Sequence, residues 1–316
     1  MQHTILIGSS SFGMSEEAVQ MLTKQVALGR AKVVHRSDSS PVPLLDITGI
    51  IAGTELYDKL SLDCMPNLKV LSRMGVGLDH IDLDYCAANG ITVTYTPYGP
   101  TQSVAQMTIG LMIALLRNMH MSNLDMRRGK WIKPLGRQFS EVSIGILGFG
   151  RIGSEVVRLL SAFNPKRIYV CDIDLTKERP LGTSLGFLGI EELFRRCDLV
   201  SLHIPLGKEN FHLIDADLLE LMKPGSLLVN TSRGALIDED ALNHALTTEK
   251  LSGAAIDVFE EEPYDGILTE FSSVICTPHV SSMTITARDN MEIGAVTDCL
   301  RVLENKQPIN EVPHEL

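Results

Sequence analysis

Gly148-Phe149-Gly150-Arg151-Ile152-Gly153 is the stretch on which the fold turns. Alone, such a run is a common glycine turn, but its flanks make it specific. The apolar run Ser143–Leu147 leads in and predicts a buried strand. The segment "IGSEVVRLLSAF" leads out with helical spacing. A second apolar run, Arg167–Cys171, ends at Asp172, with residues 154–171 between the last glycine and that acid. Strand, glycine turn, helix, strand and terminal acid in this order mark a dinucleotide-binding βαβ unit. Gly148 permits the tight turn, Gly150 lets the backbone approach a pyrophosphate, and Gly153 lets the helix pack on the strand. The helix N-terminus offers unpaired N–H groups to the phosphates. Asp172 can accept hydrogen bonds from both adenosine ribose hydroxyls and would repel a 2′-phosphate, which points to NAD rather than NADP.

The same alternation continues on both sides. Toward the C-terminus, apolar runs predict strands at Leu199–His203, Ser226–Asn230, Gly253–Asp257 and Val274–Thr277. Helices fall between them, one opening at Asp238 as N-cap, and a last long helix covers Thr284–Leu303. Toward the N-terminus, strands are expected at Thr4–Gly8, Lys32–Val34, Ile47–Gly53, Leu68–Arg73 and Ile91–Thr96, with a helix over Ser15–Leu28 capped by Ser15. The turn from Gly8 to Gly13 lacks a strand-end acid at the right distance and reads as structural. Pro97 and Pro100 then punctuate the chain ahead of a long helix, Gln102–Arg117, and a further turn of helix. Strands spaced by helices imply parallel sheets. The expected class is α/β with two parallel-sheet domains, flavodoxin-like and Rossmann.

At 316 residues, two domains are the natural division. A net charge of −11 argues against a nucleic-acid binder, and the densest basic patch, around Arg127 and Lys130, is short and reads as a solvated helix end. The six cysteines form no CxxC pair, so no zinc or redox motif and no metal site is expected. The N-terminus lacks the charged and apolar regions of a secretory signal. The longest apolar run, Met107–Leu116, is too short to cross a bilayer. A cytoplasmic protein without membrane partners is expected.

Three residues stand just past predicted strand ends, where open parallel sheets hold their ligands: Arg233, Glu262 and His279. With them the sequence resembles the D-isomer-specific 2-hydroxyacid dehydrogenases, most of all their phosphoglycerate dehydrogenase-like branch. The resemblance runs over roughly residues 45–305. It rests on "SRMGVGLDHIDL", "QSVAQMTIGL", "GFGRIG", "LHIPL", "MKPGSLLVNTSRGALIDEDAL", "GAAIDVFEEEP" and "TPHVSS", in that order.

The resemblance implies an NAD-dependent oxidoreductase that moves a hydride to or from C2 of a small 2-hydroxy or 2-oxo acid. It gives His279 the role of general acid/base and Glu262 that of its partner. Arg233 would bind the substrate carboxylate and polarise the C2 oxygen, a task that suits a planar guanidinium. The backbone of Gly75, Val76 and Gly77 would hold the carboxylate through N–H groups, and Arg73 is left as a further anion contact. Around the cofactor it places Gly148, Gly150, Arg151, Ile152, Gly153, Asp172, His203, Pro205, Thr231, Ser232, Asp257 and Ser103. It implies a discontinuous substrate domain, residues 1–98 plus 288–316, an NAD domain over 99–287, an active site in the cleft, and a homodimer joined through residues 101–140.

The departures bear on substrate. Gln106 stands where the family usually has Glu. The phosphoglycerate enzymes carry an Arg-Ser pair after an early strand, where this chain has Ala52-Gly53-Thr54. With Leu316 soon after the last helix, the regulatory domain that some of those enzymes carry is not expected here. Other readings are a formate or phosphite dehydrogenase, an NAD-sensing scaffold related to the C-terminal-binding corepressors, and an adenosylhomocysteine hydrolase-like enzyme. Glu262 argues against formate, where the position is Gln. The intact trio argues against a scaffold, and the motif order against the hydrolase-like class.

Overall fold

Short apolar runs alternating with helices build two parallel sheets. The computed structural model describes residues 2–36, 43–174 and 185–313. Contacts divide the chain into two units, Met1–Pro100 with Met283–Leu316, and Thr101–Ser282.

The first unit runs β1 (His3–Ile7), α1 (Glu16–Ala27), β2 (Ala31–His35), β3 (Gly49–Ala52), α2 (Lys59–Asp63), β4 (Val70–Arg73), α3 (Leu83–Ala88) and β5 (Thr92–Thr94). Its strands pair in parallel in the order β2-β1-β3-β4-β5. This is the flavodoxin-like order, and it reverses between β1 and β3. Side chains alternate across β3: Ile51 joins one buried cluster, while Ile50 and Ala52 join another with Tyr57, Leu62 and Leu71. A parallel sheet covered on both faces needs this near-continuous apolar sequence.

The second unit runs α4 (Thr101–Leu116), α5 (Met119–Arg127), β6 (Ser143–Leu147), α6 (Arg151–Ser161), β7 (Arg167–Cys171), β8 (Leu185–Phe187), α7 (Ile190–Arg196), β9 (Leu199–Leu202), α8 (Ala216–Glu220), β10 (Ser226–Asn230), α9 (Glu239–Thr247), β11 (Leu251–Ile256) and β12 (Val274–Cys276). The order is β12-β11-β10-β9-β6-β7-β8. With β6 as first strand this is the Rossmann order extended by one strand, with its switch point between β6 and β9. One face buries Ile144 and Ile146 under α4 and α6, through Met112, Val156 and Leu160. The other buries Val200, Leu228 and Ile256 under α7, α8 and α9, through Phe194, Leu219 and Leu242. Phe194 is fully buried, and truncating it to Ala would cost about 3–5 kcal/mol.

The last helix, α10 (Ile285–Leu303), returns to the first unit. Thr284 caps it, accepting from Ala287 N at 3.4 Å, and Ala287, Met291, Ala295, Cys299 and Leu303 enter the core that holds Ile5, Ile7 and Val70. The sequence divides the domains at 98/99 and 287/288; the contacts divide them after Pro100 and Ser282. The helix is one rigid piece packed on β3 and β4, so it goes to the first unit whole. Strand β8 is absent from the sequence reading. Among the described residues no helix is long and apolar enough to cross a membrane.

Candidate active site

The glycine turn sits between β6 and α6. Gly148 has φ +97°, and a Cβ there would lie 2.5 Å from the His203 carbonyl oxygen. A Cβ on Gly153 would lie 2.0 Å from the Gly148 oxygen, so helix and turn touch backbone to backbone. A Cβ on Gly150 would meet nothing within 4 Å. Gly150 is the N-cap of α6, and among the described residues no side chain caps that end. Open space in front of uncapped helix N–H groups is what a phosphate needs. Asp172, at the end of β7, turns its carboxylate onto the turn: Oδ2 accepts from Phe149 N at 2.5 Å and Oδ1 from Asp174 N at 2.8 Å. These residues fit a dinucleotide.

The loops after β9 and β10 are tied together beside it. Ser232 Oγ donates to Ile204 O at 2.5 Å, and the Pro205 carbonyl accepts from Asn210 Nδ2 at 2.6 Å. Thr231 is buried, its hydroxyl 2.9 Å from that of Thr108. Within α6's first turn, Arg151 is exposed and Ile152 packs toward the core beneath α4. His203 Nε2 lies 2.9 Å from Ser201 Oγ, while Nδ1 is buried and meets no partner among the described residues. Burial pushes this imidazole down to about 3, so it is neutral at ordinary pH.

Three loop ends bring Arg233, Glu262 and His279 into one region. His279 Nδ1 is 2.9 Å from Glu262 Oε2 and 3.1 Å from Oε1, and each side chain is about one third exposed. Burial opposes ionisation of Glu262. The hydrogen bond and charge of His279, the Phe259 N–H and the charge of Arg233 outweigh it and hold the carboxyl below its ordinary value. Glu262 is thus ionised at neutral pH and feels both basic partners. Arg233 Nη1 donates to Ser232 O at 2.7 Å.

The His279 backbone is left-handed, at φ 52°, an uncommon conformation for a residue with a side chain. It is held there by its own N–H, which meets Asp257 O at 2.8 Å and Thr277 O at 2.9 Å. The Asp257 carboxylate, fully buried, accepts from Thr277 Oγ1 at 2.5 Å, Val280 N at 2.9 Å and Ser281 N at 2.9 Å. Ser103 Oγ donates to Ser281 O at 2.6 Å. Asp257 and Ser103, read from sequence as cofactor residues, here brace the segment that carries His279.

Two residues escaped the sequence reading. Asn230, fully buried at the end of β10, donates through Nδ2 to Arg233 O at 2.7 Å and accepts from Ser232 N at 3.0 Å, fixing the turn that presents Arg233. Asn at a strand end is a turn former, and that was the available signal. Gly234 is the other: a Cβ there would lie 1.9 Å from the Phe259 carbonyl carbon and 2.3 Å from Glu260 N. The Arg233 turn therefore rests directly on the backbone that leads to Glu262.

Arg73, Gly75, Val76 and Gly77 belong to the first unit, past the end of β4. Arg73 is buried; its Nε donates to Gly77 O at 3.1 Å and its Nη1 to Met74 O. It braces the glycine turn from inside. A Cβ on Gly75 would come within 2.7 Å of that guanidinium. The N–H groups of Val76 and Gly77 meet no described acceptor. Among the described residues no group of three or more His, Cys, Asp and Glu is placed to hold a metal ion.

The comparisons with known proteins agree on one family. The model of the D-isomer specific 2-hydroxyacid dehydrogenase NAD-binding domain matches residues 109–281. The chain is 38% identical over 266 residues to a glyoxylate reductase of Thermofilum pendens, covering 81% of this chain and 78% of that one. It is 34% identical over 272 residues to a D-3-phosphoglycerate dehydrogenase of Escherichia coli, covering 84% and 65%. Its backbone is similar to the crystal structure of D-lactate dehydrogenase from Aquifex aeolicus complexed with NAD and lactic acid, with TM-score 0.87 and 28% identity over 98% of this chain and 99% of that one. With two parallel sheets, the glycine turn and these relatives, the chain belongs to the D-isomer-specific 2-hydroxyacid dehydrogenase family and carries that family's NAD(P)-binding domain.

Proposed function

We propose that this chain is an NAD-dependent reductase of small 2-oxo acids with His279 as its general acid/base. The observation that carries the reading is the contact between His279 Nδ1 and Glu262, 2.9 Å long, on a carboxylate held ionised. With Nδ1 turned to Glu262, Nε2 is the atom left to exchange a proton with the C2 oxygen. A nicotinamide dinucleotide held at the Gly148–Gly153 turn would supply the hydride chemistry at C2. In reduction His279 gives the Nε2 proton to the C2 oxygen; in oxidation it takes the proton back. Arg233 pairs its fork with the substrate carboxylate and draws charge from the C2 oxygen. Asp257 and Asn230 hold His279 and Arg233 in place.

Asp172 supports NAD over NADP, since a carboxylate beside the turn disfavours a 2′-phosphate. The glyoxylate reductase and D-lactate dehydrogenase relatives support small uncharged tails such as those of glyoxylate, pyruvate and hydroxypyruvate. The turn Ala52-Gly53-Thr54 carries no guanidinium and so favours these over 3-phosphohydroxypyruvate. Exposed Met119, Met126, Trp131, Ile132 and Leu135 support homodimer formation through residues 101–140. A cytoplasmic location completes the proposal.

The test is NADH oxidation by purified protein against glyoxylate, pyruvate, hydroxypyruvate, 2-oxoglutarate and 3-phosphohydroxypyruvate. His279→Ala should cut kcat by about 10²–10⁴-fold while leaving NADH binding intact. Full activity in that variant removes His279 from the chemistry. No turnover with any acid, with NADH bound, sinks the reductase reading.

A further inference from the structure

Arg288 and Glu292 form an ion pair one helical turn apart on α10, with side-chain exposures of 6% and 0%. Arg288 Nη2 lies 2.7 Å from Glu292 Oε1 and Nε lies 3.2 Å from it. The Glu292 carboxylate also accepts from three successive backbone N–H groups: Gly13 at 2.9 Å, Met14 at 3.3 Å and Ser15 at 3.1 Å. These lead directly into α1. From the other partner, Arg288 Nη2 donates to Ser11 O at 2.5 Å and lies 3.5 Å from Met74 Sδ. One buried pair thus joins three pieces of the first unit: α10, the loop between β1 and α1, and the residue that precedes Gly75.

We infer that Arg288 and Glu292 are positioning residues for the anion-binding turn at Gly75–Gly77, acting through Met74. The inference rests on the reading of this turn as a substrate carboxylate site. Met74 is 3% exposed, its N–H donates to Ala52 O at 2.9 Å, and its carbonyl accepts from Arg73. Arg73 in turn holds the Gly77 carbonyl. Movement of Met74 therefore moves the Val76 and Gly77 N–H groups. Replacing a buried ion pair by apolar side chains of the same volume is often neutral or stabilising for a fold. What it does here, and apolar groups could not, is satisfy the loop's N–H groups and the Ser11 carbonyl at fixed positions. The β1–α1 turn, structural in the sequence reading, becomes part of the support for the substrate.

The experiment compares Glu292→Gln, Arg288→Lys and the double variant Arg288→Met/Glu292→Leu with wild type. Thermal melting confirms the fold. The double variant leaves no lone buried charge but strips the loop of its partners, so Arg288→Lys, which keeps the pair, stands in wherever the others do not fold. The KM for the best 2-oxo acid should rise about tenfold in Glu292→Gln and the double variant, with kcat within about threefold. That is the signature of lost binding common to ground and transition states. The Kd for NADH should not change, and Arg288→Lys should recover part of the KM. Folded variants with wild-type KM overturn the inference, as does a rise in NADH Kd matching that in KM. A wild type inert toward every acid overturns the dehydrogenase reading itself, and this inference with it.

Discussion

Gly234 lies so close to Phe259 that a Cβ added to it would sit 1.9 Å from the Phe259 carbonyl carbon. Both contacting groups are backbone, so neither can turn aside as a flexible side chain would. Gly234→Ala must displace either the Arg233 turn or the strand end leading to Glu262. The expected result is a fall in kcat/KM of at least about a hundredfold, because a misplacement near 1 Å costs that much in a positioned site. Steady-state kinetics beside NADH titration checks it. Wild-type kinetics would show that the two loops are not mechanically coupled.

Glu262 orients His279 without touching the substrate in the proposed chemistry. Glu262→Gln should lower kcat, but by less than the roughly 10²–10⁴-fold loss expected on removing the imidazole. The wild-type carboxyl is held below its ordinary value in the folded protein. Its contribution to stability is therefore complete above the unfolded carboxylate range and is lost as pH falls through the lower, folded value. Urea unfolding at pH 7 and pH 4 should show a smaller acid loss for Glu262→Gln than for wild type. Equal losses would contradict that assignment.

His203 gains charge on protonation where Glu262 loses it, yet its effect on stability runs the same way. Burial pushes its folded value down to about 3, whereas an unfolded histidine binds a proton near pH 6.5. Between those limits the unfolded chain holds the extra proton, so stability falls as pH drops. His203→Gln removes that penalty and should flatten the decline in chemical-denaturation midpoint between pH 6.5 and 4. An unchanged decline would mean that His203 is already protonated in the native state.

Asp172 makes the cofactor prediction. Asp172→Ala removes the charge facing a 2′-phosphate, together with the acceptor for Phe149 N. The ratio of kcat/KM with NADPH to that with NADH should rise roughly tenfold or more, since like-charge juxtaposition costs several kcal/mol. The second lost contact should weaken both cofactors. An unchanged ratio would take Asp172 out of the ribose site.

The sequence made the sheets readable where strands are fully buried. Ser143–Leu147 and Ser226–Asn230 have the same ends in the reading and in the fold, because buried parallel strands are short apolar runs with sharp polar borders. The partly exposed Arg167–Cys171 is marked instead by its place between the helix after the glycine turn and Asp172. β8 escaped because its residues, Leu185–Phe187, are only half-buried at a sheet edge. Sequence also marked Asp257 as an acid at a strand end. It could not say which N–H groups that acid faces, since Val280 and Ser281 arrive from another strand end. Arg288 and Glu292 were hidden for a related reason. An i,i+4 pair in a helix reads as surface decoration until the neighbouring loop is in place to bury it.

The return of α10 to the first unit bears on how the protein is made. On the ribosome, β1 to β5 emerge first, yet the apolar face formed by Ile5, Ile7 and Val70 must wait for Ala287, Met291 and Ala295 to cover it. The second unit is contiguous and can close on itself as soon as β12 has left the exit tunnel. The nascent first unit is thus the later to mature, and it is the part most exposed to chaperone capture and to stalled or truncated synthesis.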